Sequence, residues 1–168
     1  MASEKLRKAM NEQIGHELYS SHLYLAMSVY CADRNLKGFA HWMRQQSREE
    51  AGHAMRFVDF LLECGERVEL AAIDQPPADF GSPLDIMQGS LDHERKVTGL
   101  IERLYETAGE EKDYPAQVFL QWFISEQVEE ESRISEIVEQ LKLFGSEGIA
   151  LLTLDRELGS RTAGEGEE

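Results

Sequence analysis

Cysteine, long apolar runs and positive charge are all scarce in this sequence, and each shortage removes a class of protein. The 168 residues contain two cysteines, Cys31 and Cys64, with no CxxC spacing. They build neither a disulfide scaffold nor a thiolate metal module, and they read as reduced thiols of a cytoplasmic protein. No apolar run is long enough to span a bilayer, so no membrane segment is expected. The start, Met1-Ala2-Ser3-Glu4-Lys5, lacks the apolar stretch of a secretion signal. Lys and Arg number 17 against 32 Asp and Glu, a net charge of -15. That balance lacks the basic footprint nucleic acid requires; it fits cationic partners and also serves solubility.

What the chain has instead is helical periodicity. Apolar residues recur in steps of three and four as Leu6, Met10, Ile14, Leu18 and Leu25, then as Phe39, Trp42, Met43, Phe57, Phe60 and Leu61. Two further stripes follow: Leu84, Met87, Leu91, Val97, Ile101 and Leu104, then Phe119, Phe123, Ile134, Ile137 and Leu141. The spacing predicts helices from Glu4 to Asp33, Lys37 to Cys64, Pro83 to about Ala108 and Tyr114 to Phe144. Ser3 and Ser82 are candidate N-caps, and Gly65 and Gly145 are candidate terminators. A short fifth helix, Glu147 to Leu158 capped by Ser146, carries Ile149, Leu151, Leu152, Leu154 and Leu158. That is more apolar surface than one bundle is expected to cover, so burial in an oligomer is expected. Residues 1–158 read as one all-α domain, and residues 159–168 as a small, acidic, disordered tail.

Each long stripe carries an acid at its centre. Glu17 lies on the first, Glu50 with His53 on the second, Glu94 on the third, and Gln127 with Glu130 on the fourth. Burying an unpaired carboxylate costs several kcal/mol, so four at once imply a compensating cation or partner and mark a site. Their positions repeat: Glu17 and Glu94, Glu49 and Glu126, Glu50 and Gln127, and His53 and Glu130 are each 77 positions apart. The chain therefore reads as two copies of one helical hairpin. Turns near Asn35 and near Glu110-Glu111 would bring the paired residues to one height in the bundle. The connection from Glu66 to Ser82, with Pro76-Pro77, reaches roughly 55 Å when extended, enough to travel a helix of about 40 Å. A crossover of that kind starts the second hairpin at the far end of the bundle.

Carboxylates with one imidazole suit iron, zinc, manganese or cobalt. Glu17, Glu50 and His53 form one candidate pocket. Glu94, Glu130 and Gln127 form a second, bridged to the first by Glu50. Two ions so close suit two-electron reduction of dioxygen or peroxide. In ferritin-like di-iron proteins, a Glu from each of two helices meets Glu-x-x-His from the other two. Here the second such motif is Gln127-x-x-Glu130.

The order, spacing and type of these residues resemble a bacterial non-haem ferritin over nearly everything from Glu4 to Leu158. The resemblance rests on Glu17 with Tyr24, on Glu49-Glu50-Ala51-Gly52-His53, on Glu94, and on Asp113-Tyr114-Pro115 followed by Phe119 to Glu131. It implies a ferritin-like four-helix bundle with a long crossover and a fifth helix. It also implies a hollow shell of 24 subunits that oxidises Fe(II) with O2 or H2O2 and stores ferric mineral. By resemblance, Glu17, Glu50 and His53 hold a first iron, and Glu50, Glu94 and Glu130 a second. Glu49, Glu126, Glu129 and Glu130 hold a third, and Tyr24 is an electron donor beside the centre.

Departures from neighbouring families narrow the reading. Ala51 stands where bacterioferritins carry their haem-binding Met, and Glu130 replaces their second His, so no haem is expected. In animal ferritins, acids early in the fourth helix line the three-fold pores; Gln117 and Leu120 hold those places here, leaving the iron entry route open. Two other readings of the residues stand beside ferroxidase: a di-metal oxidase of an organic substrate, and a non-catalytic assembly that binds divalent ions. Trp122 and Phe123 crowd the site and disfavour the first of these.

Overall fold

The structure, a computed structural model, describes residues 3–145 and 148–162. Ser3 starts α1 (Glu4–Asp33) as a true cap: its hydroxyl accepts from the backbone N–H of Leu6 at 3.1 Å. Asn35, with φ of 60°, takes the left-handed turn into α2 (Lys37–Glu63). α3 (Pro83–Glu110) opens on a full capping box, with Asp85 answering Ser82. It continues past the expected end at Ala108, so the turn shrinks to Glu111–Asp113. Asp113 then caps α4 (Tyr114–Phe144) by accepting from Ala116 N–H at 3.1 Å. α5 (Gly148–Leu158) follows. The expected cap at Ser146 lies outside the described residues. No strand occurs among the described residues.

α1 pairs with α2 and α3 with α4, as the internal repeat requires. The crossover between the hairpins is laid along α1. Asn11 accepts from the Glu69 N–H at 2.7 Å and donates to the Arg67 carbonyl at 3.3 Å. Far along the same helix, the Tyr30 hydroxyl pairs with both the N–H and the carbonyl of Gly81 at 3.0 Å. The connection thus travels the length of the bundle before α3 begins.

The apolar core falls into two layers. One, around Tyr24, Phe39, Met43, Met87, Ile134 and Leu141, lies toward the α1–α2 turn. The other, around Leu6, Met10, Phe57, Ile101, Leu120 and Phe123, fills the opposite end. Between them runs a buried polar layer containing Glu17, Gln46, Glu50, His53, Glu94, Gln127 and Glu130. A core interrupted in this way gives up apolar contact for a site.

α5 divides the apolar surface its composition promised between its own bundle and the outside. Leu154 and Leu158 are buried within their own chain, and Leu151 packs partly against the first layer. Ile149 and Leu152 remain exposed, at 84% and 49%. Asp155 explains the docking: its Oδ1 accepts from Gly38 N–H at 2.9 Å and Phe39 N–H at 3.0 Å, capping α2 from 117 positions away. α2 has no local side-chain cap of its own. Gly38 is required there, because a Cβ would stand 1.5 Å from the Asp155 carbonyl oxygen. Of the expected tail, residues 159–162 are described, and they pack back on the bundle. Arg161 is only 8% exposed, while residues 163–168 lie outside the described part of the chain.

Candidate metal centre

Glu17 comes from α1, and Glu50 and His53 from one face of α2, three positions apart. One ligand atom from each lies within 4.8 Å of the others, and all three side chains are buried. Glu17 Oε1 accepts from Gln13 at 2.8 Å, while Glu17 Oε2 is buried without any hydrogen-bond partner. A buried carboxylate oxygen left unpaired is a costly feature unless something is to bind it. The imidazole of His53 faces Glu50 Oε2 at 3.2 Å from Nδ1. Trp122 and Phe123 hold it edge-on, with ring centroids 5.4 and 5.8 Å away.

Glu94 and Glu130 face this pocket from the second hairpin. The Tyr24 hydroxyl donates to Glu94 Oε1, and the Gln127 amide donates to Glu94 Oε2 at 3.1 Å. Gln46 spans the two hairpins: its amide nitrogen lies 2.7 Å from Glu130 Oε2 and 3.2 Å from Glu50 Oε1. Glu94 and Glu130 make no compact group of three with other His, Cys, Asp or Glu side chains among the described residues. Gln46 joins Glu130 to Glu50, while Glu94 meets both through the repulsion of their charges.

That repulsion is visible in the protonation of the metal-free site. Burial, aided by the Glu50 charge, pushes the Glu17 carboxyl up to about 8. The same two causes raise Glu130 to about 7 and lift Glu94 well above the usual carboxylate range. Burial works against charge on His53 and on Glu50, yet each favours the other's ionised form. The outcome is an imidazole raised to about 10 and a Glu50 carboxyl held below its ordinary value. Tyr24 is raised well above a free phenol by burial and then by Glu94. Burial and the Glu50 charge thus favour the protonated forms of Glu17, Glu94 and Glu130, while Glu50 and His53 favour each other's charged forms. A divalent cation would take the place of those protons.

The outer acids are arranged differently. Glu49 has both oxygens held by Arg161, at 2.9 and 2.7 Å, with Arg133 at 3.7 Å. Glu126 is only 6% exposed, and its carboxyl is raised by burial against the pull of His53 and Arg133, with Glu129 and Glu49 adding to the rise. Glu129 is exposed. No compact three-acid group forms there among the described residues.

Several participants carry no sequence signature of their own. Gln13 and Gln46 are amides on apolar stripes and could have been found by asking what polar residues share those faces. Thr98, which receives a hydrogen bond from Gln127 at 3.3 Å, and half-buried His93, which bonds Ser20 at 2.8 Å and packs edge-on to Tyr24, needed the fold. Arg161 lay in the segment expected to be structureless.

Comparison with known proteins agrees with this fold. The ferritin family model, described as a ferritin-like domain, matches residues 7–144. A bacterial non-heme ferritin of Bacteroides fragilis is 44% identical over 161 residues, covering 96% of this chain and all of that protein. A bacterial non-heme ferritin of Staphylococcus aureus is 38% identical, covering 96% and 98%. Among solved structures, an open-pore ferritin from the archaeon Archaeoglobus fulgidus superposes with a TM-score of 0.95 at 47% identity, covering 96% of this chain and 100% of the other.

Proposed function

The chain belongs to the ferritin family, and we propose that it is an iron-storage ferroxidase whose substrate is Fe(II). Buried polar chemistry between two apolar layers carries the reading, above all the unpartnered Glu17 Oε2 beside Glu50 and His53. In this reading Glu17, Glu50 and His53 take the first ferrous ion. Glu50, Glu94 and Glu130 take the second, with Gln127 and Tyr24 orienting Glu94. Each Fe(II) gives up one electron. O2 accepts two electrons and two protons to become H2O2, or H2O2 accepts two electrons and two protons to become two waters.

The residues have defined tasks in this scheme. Trp122 and Phe123 close the His53 side of the layer, keeping an organic substrate out and bulk water from the imidazole. Gln46 holds Glu50 and Glu130 toward each other across the hairpins before metal arrives. Tyr24 keeps its proton at neutral pH and so stands as a hydrogen-bond donor, and an electron donor, next to Glu94. Glu49, Glu126 and Glu129 are the stations for a third iron on its way out of the centre.

Ferric product then collects as mineral inside a shell of identical subunits, 24 in number. The exposed Ile149 and Leu152 on α5 supply apolar surface for contacts between copies. No helix among the described residues is long and apolar enough to cross a membrane, and the free Cys31 and Cys64 favour the cytoplasm. The test is mass together with iron loading. Sedimentation after aerobic Fe(II) addition should show a 24-subunit particle that gains mass with each addition and stays soluble. A particle that stops at two or three ions per subunit would instead mark a passive metal-binding assembly.

A further inference from the structure

Arg161 stands past the last helix, yet its side chain is 5% exposed and reaches the edge of the metal centre. Its Nη2 is 2.9 and 2.7 Å from the two oxygens of Glu49, and its Nη1 donates to the Gln46 side-chain Oε1 at 3.1 Å. The guanidinium carbon lies 4.7 Å from the centroid of Trp42, and the Arg161 carbonyl oxygen sits 2.8 Å from His41 Nε2. Gly159 and Ser160 anchor the approach by donating to the Asp155 and Glu157 carbonyls at 3.0 Å. A guanidinium has donors only, so it fixes which way the Gln46 amide faces. The Gln46 nitrogen is thereby turned toward Glu50 and Glu130.

We propose that Arg161 is the resident counter-ion of Glu49, so that a metal ion is held at Glu49 only when the segment after α5 withdraws its guanidinium. The inference rests on the reading of Glu49, Glu126 and Glu129 as a third iron station. Three facts support it. Both Glu49 oxygens are already engaged, and a cation bound there would meet a fixed positive charge at hydrogen-bond distance. The pair is largely shielded from solvent, so its charges are weakly screened. The remaining cation, Arg133, is farther from Glu49 at 3.7 Å and is shared with Glu130 at 3.3 Å. A covalently tethered cation at that place makes third-ion affinity depend on the C-terminal segment.

The experiment is a calorimetric titration of the assembled, chelator-stripped full-length protein with Zn(II) alone, comparing wild type with Arg161→Met, Arg161→Lys, Glu49→Gln and Arg161→Met/Glu49→Gln. Methionine keeps the apolar packing on Trp42 and removes the charge; lysine keeps the charge. The third ion should bind about tenfold or more tightly in Arg161→Met, the effect of freeing one charge-assisted hydrogen-bonded carboxylate. Lysine should stay near wild type, and the double variant should lose the third ion. Equal third-ion affinity in wild type and Arg161→Met overturns the proposal, as does a lysine variant that behaves like methionine. If a third ion binds wild type, vanishes with Glu49→Gln alone and ignores Arg161→Met, only the counter-ion role falls. If no variant binds a third ion, the third station falls with it.

Discussion

Gln127 donates its side-chain amide to Glu94 Oε2 at 3.1 Å, from a position 77 residues after Glu50. The two hairpins therefore use the same helical position in different ways: the first offers a carboxylate to bridge, and the second an amide to aim its neighbour. The amide also donates to the Glu94 backbone carbonyl at 3.3 Å, so its own orientation is fixed. Gln127→Ala should weaken binding of the second ion about tenfold or more, the usual effect of removing a group that orients a ligand. Anaerobic titration with Co(II), read by its visible absorption, checks this: the first ion should bind as in wild type and the second should weaken.

The protonation pattern sets the pH dependence of the metal-free protein. Glu17 rises from 4.5 to about 8, Glu130 from 4.5 to about 7, and His53 from 6.5 to about 10. All three bind protons more tightly folded than unfolded. Their contribution is therefore complete below the unfolded values and is lost as pH rises through the folded ones. Glu50, with its lowered value, acts in the opposite sense and only below the ordinary carboxylate range. The melting temperature of chelator-stripped protein should fall steadily from about pH 5.5 to about pH 9. Saturating Zn(II) should reverse the slope, since the ion binds the deprotonated side chains. A flat metal-free profile would mean that the acids are not buried as described.

Asp155 gives a prediction about architecture. It supplies the cap that α2 lacks locally, with two hydrogen bonds to the helix N-terminus. Asp155→Ala should cost about 1 kcal/mol, read as a lower midpoint in urea unfolding. Truncation after Phe144 should cost more, because it removes Leu154 and Leu158 from the core together with the cap. The truncated chain should give dimers or leaky, mineral-poor shells. An intact particle with full iron capacity would show that α5 is dispensable.

The outer acids supply a fourth test. Glu49→Ala with Glu129→Ala should change iron uptake after the first two ions per subunit and leave the binding of those two in place. Isothermal titration with Fe(II) under argon, followed by turnover in air, separates the two stages. An unchanged third-ion uptake would remove these residues from the path of the iron.

Much of the fold was legible because it depends on local pattern. The bounds of α1 and α4, the Ser3 and Ser82 caps and the crossover follow from helical periodicity and capping chemistry within a few residues. Glu17, Glu50 and His53 were legible because an acid on an apolar stripe contradicts its surroundings. Which leucines of α5 face their own bundle was not, since Leu154 and Leu158 look alike whether they are covered by their own bundle or by another copy. Asp155 and Gly38 meet across 117 positions, and no local rule connects them. Arg161 was hidden by its company: a Gly-Ser-Arg-Thr segment carries no periodicity, and only the docking of α5 brings it to Glu49.

The central claim is that the buried layer oxidises iron, and the initial rate of Fe(II) oxidation at two ions per subunit tests it most directly. Wild type and Glu50→Ala should be compared in air as particles of equal mass, with loss of Fe(II) followed by stopped flow. Glu50 faces His53 and is linked through Gln46 to Glu130, so its removal should abolish the fast, saturable phase while leaving the particle folded. Equal initial rates in the two proteins would contradict the account and move the oxidation elsewhere in the molecule.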